Sequence, residues 1–183
     1  MQTLEAQERK SQRDPLRIRI YGDPVLRRKA IPIRKITTVE KKLAEDMLAT
    51  MYAEPNGVGL AAPQIGVLKR LVVIDSNRND LDSKPLVLVN PQIQSLEGEV
   101  VNEEGCLSIP NVTADVKRAR KAVVTARNID GEEICVEGKE FVARVLQHEI
   151  DHLDGVLFID YVSDRKRQLL RKKLRKLQQQ SEE

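Results

Sequence analysis

The stretch QHEIDHLDG, Gln147 to Gly155, contains both histidines of the 183-residue chain, His148 and His152, with Glu149 between them. Residues four apart on a helix lie about one turn apart and point the same way. The two imidazoles could therefore hold one metal ion as a pair. Glu149 would share their rim, close enough to hydrogen-bond a metal-bound water without being a ligand. That is the mechanical content of an H-E-x-x-H pattern. The bland alternative is two histidines beside an unrelated acid. It is disfavoured because Phe141, Val145, His148 and His152 share one helical face, which puts the rings at least half inside, where unpartnered imidazoles are costly.

A catalytic site of the zinc type takes three protein ligands and leaves one position open. There is no third histidine. Asp154 and Asp160 follow the helix, but Asp154 is too close along the chain to reach comfortably. Two cysteines remain, Cys106 in EEGCLSIP and Cys135 in EEICVEG. Ile134 and Val136 flank Cys135 in one arm of a hairpin, where a cysteine is more often a small core residue. Spacing favours Cys106 over Cys135 by a small margin and leaves both open.

A third segment is NGVGLAAPQIG, residues 56 to 66. Gly57, Gly59, Ala61 and Ala62 remove side-chain bulk, so a ligand or another backbone can come close. The segment has neither G-K-[ST] nor G-x-G-x-x-G and is not a phosphate loop. Gln64 follows the small residues and can donate from its amide. A tightly packed turn explains the stretch equally well.

The elements that must carry these residues are legible from period and punctuation. Residues 1 to 15 read as a flexible lead-in. Alternating Leu16, Ile18 and Ile20 predict a short strand, followed by a turn at Gly22-Asp23-Pro24. ITTVEKKLAEDMLATMYAEPNG predicts a helix, with a Thr37/Glu40 capping box, an apolar row of Val39, Leu43, Met47 and Met51, and a stop at Pro55-Asn56-Gly57. RLVVID, PLVLVNP and IQSLEGEVV read as strands. KAVVTARNIDGEEICVEG reads as a hairpin turning at Asp130-Gly131. KEFVARVLQHEIDHL is the helix of the histidines, ended by Gly155. DRKRQLLRKKLRKLQQQ is a last helix. The expected fold is α+β, with mostly antiparallel sheets packed around a central metal-binding helix. The expected divisions are the lead-in, a catalytic domain over 16–162 and a basic C-terminal helix over 163–183.

Composition narrows the function classes. Hydrophobic residues make up 40% and charged residues 32%, as in an ordinary globular domain, and aromatics make up 3%, so the core is aliphatic. No apolar run approaches the length of a membrane span. The polar, acid-containing start lacks the apolar middle of a secretion signal, and a cytoplasmic location is expected over an organelle. Two cysteines make no disulfide framework. The net charge of +3 is uneven: residues 163–183 hold eight Lys/Arg against three acids, leaving 23 basic and 25 acidic residues elsewhere. The chain is therefore not a uniformly basic nucleic-acid binder, and no DNA partner is expected.

Taken together, GVGLAAPQ (Gly57 to Gln64), EGCLS (Glu104 to Ser108) and HEIDH (His148 to His152) resemble the three ordered motifs of the peptide deformylases, in a bacterial-class version. DPVLR and GVLFIDY extend the resemblance over about residues 17 to 162. It implies a metal-dependent hydrolase that removes the formyl group from the N-terminal formylmethionine of nascent polypeptides. Carried over, Cys106, His148 and His152 are the ligands and Glu149 the general base. The Gln64 amide and the Leu107 backbone N–H become donors to the formyl oxygen. The metal implied is Fe(II), with Zn(II), Ni(II) or Co(II) able to take its place. The peptide would lie along Val58-Gly59-Leu60 as an added strand. Val58, Phe141 and Val145, with room at Gly105, would take the methionine side chain, though plain core packing accounts for the three apolar residues as well. Glu104 is expected to pair with Arg118. Leu170, Leu174 and Leu177 would dock the last helix, and its basic face could meet ribosomal RNA. A monomer is expected.

Two rivals make different demands. A zinc endopeptidase needs a ligand after the histidine helix. A non-catalytic RNA- or ribosome-binding protein with a closed structural zinc needs a fourth protein ligand, for which Cys135 is the spare strong donor.

Overall fold

The computed structural model describes residues 14–80 and 83–182, so most of the expected lead-in lies outside the described residues. Among the described residues there are three α-helices: α1 (Thr38–Ala53), α2 (Phe141–Leu153) and α3 (Asp164–Glu182). The strands are β1 (Gly59–Ala61), β2 (Leu71–Ile74), β3 (Leu86–Glu97), β4 (Val100–Cys106), β5 (Ile109–Arg118), β6 (Lys121–Arg127) and β7 (Glu133–Lys139). They form a five-stranded sheet in the order β1-β2-β3-β6-β7 and a separate β4-β5 hairpin. Every strand pairing is antiparallel. The fold is α+β, as expected.

The large sheet carries a helix on each face. In β2 all four residues of LVVI are buried. Strand side chains alternate between faces, so a strand buried on both sides needs apolar residues throughout. Val72 and Ile74 pack with Leu88, Val124 and the α2 residues Val145, Leu146 and Ile150. Leu71 and Val73 pack with Val89 and the α1 residues Ala44, Met47 and Met51.

The capping box of α1 is present. The Thr37 side chain accepts from the Val39 N–H, and the Glu40 carboxylate accepts from the Thr37 N–H at 2.9 Å. Its buried face is shifted from the expected row. Ala44, Met47, Thr50 and Met51 face inward, while Val39, in the first turn, is 62% exposed.

Four strand expectations change. Leu16, Ile18 and Ile20 form no strand. The segment instead crosses the ends of three neighbours: the Leu16 N–H donates to Thr50 Oγ1, the Arg19 N–H to the Gln64 carbonyl at 2.6 Å, and the Tyr21 N–H to the Ser108 carbonyl at 2.8 Å. It is a strap over two of the sequence motifs, satisfied by scattered bonds rather than by a ladder. PLVLVNP and IQSLE are one strand, β3, running through Pro91 with a register shift between Val89 and Gln92. Asn90 there has φ 52°, and a bulge tolerates a proline that cannot donate. The turn falls at Gly98 (φ 66°), inside the expected third strand. The fourth change is β5, whose Val112, Ala114 and Val116 alternate inward.

The hairpin of β6 and β7 turns at Asp130-Gly131, where Gly131 has φ 91°. Gly155 closes α2 with φ 74°, donating to the His152 carbonyl. Leu174 and Leu177 of α3 are buried with Val112, Ala114, Val116 and Phe158, and Leu170 packs alongside. No helix among the described residues is long and apolar enough to cross a membrane.

Candidate active site

α2 is buried on almost every side, including Arg144, Gln147, His148, Glu149 and His152. A helix can bury such residues only if their polar atoms find partners. Gln147 accepts from the Ala119 N–H and donates to the carbonyls of Ala119 and Ala143. Arg144 donates to Glu104 at 2.7 Å and to the Val116 carbonyl at 3.1 Å. The histidines turn to a different partner, the sulfur at the end of β4.

Cys106 Sγ lies 3.3 Å from His152 Nε2, and His152 Nε2 lies 3.2 Å from His148 Nε2. Cys106, His148 and His152 form a group whose ligand atoms all fall within 4.8 Å of one another. Two nitrogens bound at the usual ~2.0–2.1 Å to a tetrahedral ion would sit about 3.3 Å apart. The donor set and its spacing thus fit a divalent ion. Cys135, by contrast, is solvent-exposed on β7 opposite Thr125 and is not a core residue. In β7 the inward positions belong to Ile134 and Val136, which turns the cysteine between them outward. Asp154 pairs with Arg70, and Asp160 pairs with Arg27 while accepting from the Leu157 N–H. None of the three joins the group, so the ligand after the helix that an endopeptidase needs and the fourth protein ligand that a closed zinc site needs are both missing from it among the described residues.

Glu104 organises the site from behind. Its Oε1 lies 2.6 Å from His148 Nδ1 and accepts from Arg118 Nη2 at 2.7 Å. Its Oε2 accepts from Arg118 Nε at 3.1 Å and from Arg144. The Glu104–Arg118 pair was expected; Arg144 was not. An arginine one helical turn before His148, on a buried face, was the available signal. Burial alone would raise the Glu104 carboxyl, but His148 and Arg118 hold it well below the usual carboxylate range. Burial alone would lower His148, yet Cys106 and Glu104 raise it well above the ordinary histidine range. Negative charge that favours a proton on His148 equally favours a cation in its place. Burial keeps His152 well below that range, hence neutral.

Glu149 is a carboxyl that burial pushes up to about 7. Its Oε2 is buried without a hydrogen-bond partner among the described residues. β1 lies against it: a Cβ at Gly59 would collide with Glu149 Oε1 and stand 2.9 Å from Cδ. That contact accounts for one glycine of the small-residue run. The Gln64 amide is oriented without ambiguity. The Ala61 N–H can only donate, so the atom 2.8 Å from it is Oε1. Nε2 then faces Ser108 Oγ at 3.2 Å and Cys106 Sγ at 3.6 Å.

Val58 and Val145 pack in one apolar cluster, whereas Phe141, at the start of α2, is 52% exposed. A Cβ at Gly105 would meet Thr113 Cγ2 at 3.3 Å across the hairpin. Leu107 packs against the cluster that includes α1 and Leu60.

The family model described as "Polypeptide deformylase" matches residues 15–168. The chain belongs to the polypeptide deformylase family. The peptide deformylase of Thermodesulfovibrio yellowstonii is 48% identical over 160 residues, covering 87% of this chain and 96% of that one. That of Acetivibrio thermocellus is 53% identical over 145 residues, covering 79% and 82%. The crystal structure of a peptide deformylase from Legionella pneumophila superposes with a TM-score of 0.84 at 43% identity, covering 91% of this chain and 96% of that one. Deformylases are metalloenzymes that remove the formyl group from the N-terminal methionine of nascent peptides. The three motifs of this deformylase converge in space as they are ordered in sequence.

Proposed function

We propose that the deformylase reaction of this chain runs at Cys106, His148 and His152, with Glu149 as general base and acid. The observation that carries the reading is the convergence of one sulfur and two Nε2 atoms, with the carboxylate that adjoins His148 on the same helix buried and one of its oxygens without a partner among the described residues. Cys106 Sγ and the two Nε2 atoms would hold a divalent ion, which would supply Lewis acidity toward a water and the formyl oxygen. Glu149 takes the proton of the attacking water and delivers it to the leaving amine. Its raised carboxyl suits both tasks, because a group with a pKa near 7 accepts and releases a proton at similar cost. Gln64 Nε2 and the Leu107 backbone N–H donate to the formyl oxygen as charge develops on it.

The peptide lies along Val58-Gly59-Leu60. β1 is an edge strand with β2 as its single neighbour in the sheet, which leaves its other side for an added strand. The methionine side chain goes to Val58 and Val145, with Phe141 at the rim and the Gly105 backbone alongside. The resident metal is Fe(II); a thiolate with two imidazoles also suits Zn(II), Ni(II) and Co(II). The protein works as a cytoplasmic monomer, and the outer face of α3 meets ribosomal RNA. Arg171, Lys172, Arg175 and Lys176 lie together on that face, apart from the buried Leu174 and Leu177.

Metal counting on protein purified without oxygen tests the ligand set. One ion per chain is expected, lost in Cys106→Ser, His148→Ala and His152→Ala and kept in Cys135→Ser. Metal kept in Cys106→Ser would overturn the assignment.

A further inference from the structure

We propose that Arg78, outside all three motifs, is a positioning residue that sets the register of the substrate-binding edge strand and so decides how much affinity peptide beyond the first residue contributes. The inference rests on the reading that substrate adds to β1 as a strand.

β1 is three residues long, and a strand that short has little pairing of its own to hold it. Its approach is fixed instead from outside the sheet. Arg78 Nη1 donates to the Gly57 carbonyl at 2.6 Å and to the Glu54 carbonyl at 2.8 Å, and Nη2 donates to the Tyr52 carbonyl at 3.1 Å. One guanidinium thus ties the last turn of α1 to the residue that precedes Val58. Carbonyls at a helix C-terminus carry partial negative charge and lack intrahelical partners, so a planar cation with several donors suits the place better than an ammonium.

Neighbouring groups hold the clamp in turn. The guanidinium stands 5.6 Å from the centre of the Tyr52 ring. Tyr52 Oη donates to Asp75 Oδ2 at 2.6 Å, and Ser83 Oγ donates to Asp75 Oδ1 at 2.8 Å. The Asp75 N–H donates to the Val58 carbonyl at 2.9 Å. Consecutive carbonyls, Gly57 and Val58, are therefore held by Arg78 and by the residue three before it. Gly57 cannot be otherwise, because a Cβ there would collide with the Met51 carbonyl. Gly59 follows at once, in contact with Glu149. A strand that slackens at Gly57 keeps the metal ligands intact, since those lie on β4 and α2, but presents a poorly placed edge to the peptide.

The test compares two substrates on the metal-loaded enzyme: formyl-Met-Ala-Ser, which is long enough to pair with β1, and formylmethionine methylamide, which is too short. The wild-type KM should be clearly lower for the tripeptide. In Arg78→Met the tripeptide KM should rise roughly tenfold, with its kcat within about twofold and the methylamide KM unchanged. Arg78→Lys, which retains the charge but not the fork, should fall between. Amide exchange over residues 57–60 should quicken in Arg78→Met and not in the α2 helix. A purely structural role would lower the melting temperature and change both substrates together. If Arg78→Met folds poorly, Tyr52→Phe, which removes one of the two side-chain bonds that hold Asp75, should give the same substrate split in milder form. A tripeptide advantage that survives in both variants overturns the role of Arg78. A wild-type enzyme that gains nothing from the tripeptide overturns the strand reading, and the inference falls with it.

Discussion

Gly59 and Glu149 are in direct contact, and the space between them would not hold one methyl group. The strand assigned to substrate and the residue assigned to proton transfer therefore fix each other's position. Gly59→Ala should lower kcat/KM by about a hundredfold or more, as misplacing a reacting group by an ångström does. Metal content should be unchanged. A Gly59→Ala enzyme with near-normal turnover would show that Glu149 can move without cost.

As the proposed general base, the Glu149 carboxyl, pushed up to about 7 by burial, should set the acid side of the pH profile. A general base must be ionised, and its ionised fraction falls as pH drops through its pKa. A nearby divalent cation favours the carboxylate and moves the limb down. The kcat/KM of the loaded enzyme should thus fall on the acid side with an apparent pKa at or below about 7. Glu149→Gln, far less active, should lack that limb. A limb kept in Glu149→Gln would assign it to another group.

Glu104 joins two arginines to the outer nitrogen of His148. Removing one partner of a buried ionic cluster costs about 3–5 kcal/mol. A lost hydrogen bond behind a metal-binding histidine weakens metal affinity about 10- to 100-fold. Glu104→Gln should show both effects, read by chemical denaturation of the apo form and by chelator competition. Intact affinity together with the stability loss would make Glu104 a folding residue alone.

In α1, Lys69 and Thr37 bring the Glu40 carboxyl down to about 2. A carboxyl lowered on folding stabilises the protein above its unfolded pKa, and the contribution is lost as pH falls through the folded value. Glu40→Gln should cost about 1 kcal/mol at pH 7. The gap from wild type should shrink steadily from about pH 5 toward about pH 2. A gap constant over that range would place the effect in packing rather than charge.

The proposed iron at Cys106 predicts sensitivity to air. A thiolate bound to Fe(II) is an early point of oxidation, and zinc offers no redox path. Activity of the iron form should decay faster in air than that of the zinc form. Equal rates would count against the iron assignment.

The helix α3 shows why charge reversal is the better probe of ribosome contact than truncation. Its Leu174 and Leu177 bury against β5, so deleting the helix also opens the core. Arg171→Glu with Arg175→Glu should weaken ribosome binding at low salt and leave turnover of short peptides intact. Unchanged binding would remove the ribosome from the account.

The helices, and the histidine pair of the candidate site, were legible in the sequence because their signals are local. The capping box at Thr37, the stop at Gly155 and the i, i+4 histidines each depend on residues within one or two turns. The paired arms of β6 and β7 were legible for the same reason. Leu16, Ile18 and Ile20 misled because alternation describes an extended chain, and only tertiary partners decide whether it joins a sheet. Here those partners are Thr50, Gln64 and Ser108, from separate segments. Cys135 misled in the opposite way: its apolar neighbours mark a strand, and in a strand neighbours of inward residues face out. The place of Arg144 one turn before His148 was a usable signal, but its partner Glu104, like the Gln64 partner of Ser108, lies about forty residues away in sequence and was out of reach. The family resemblance carried the three motifs as a set, and residues outside them, such as Arg78, needed the structure.

The most direct test of the site is formate release from formyl-Met-Ala-Ser by oxygen-free protein, with metal counted on the same sample, in wild type and in Glu149→Ala. The predicted result is steady release with about one ion per chain in wild type, and near-complete loss of release with the ion retained in Glu149→Ala. Wild-type turnover in Glu149→Ala at full metal occupancy would contradict the assignment of proton transfer to Glu149.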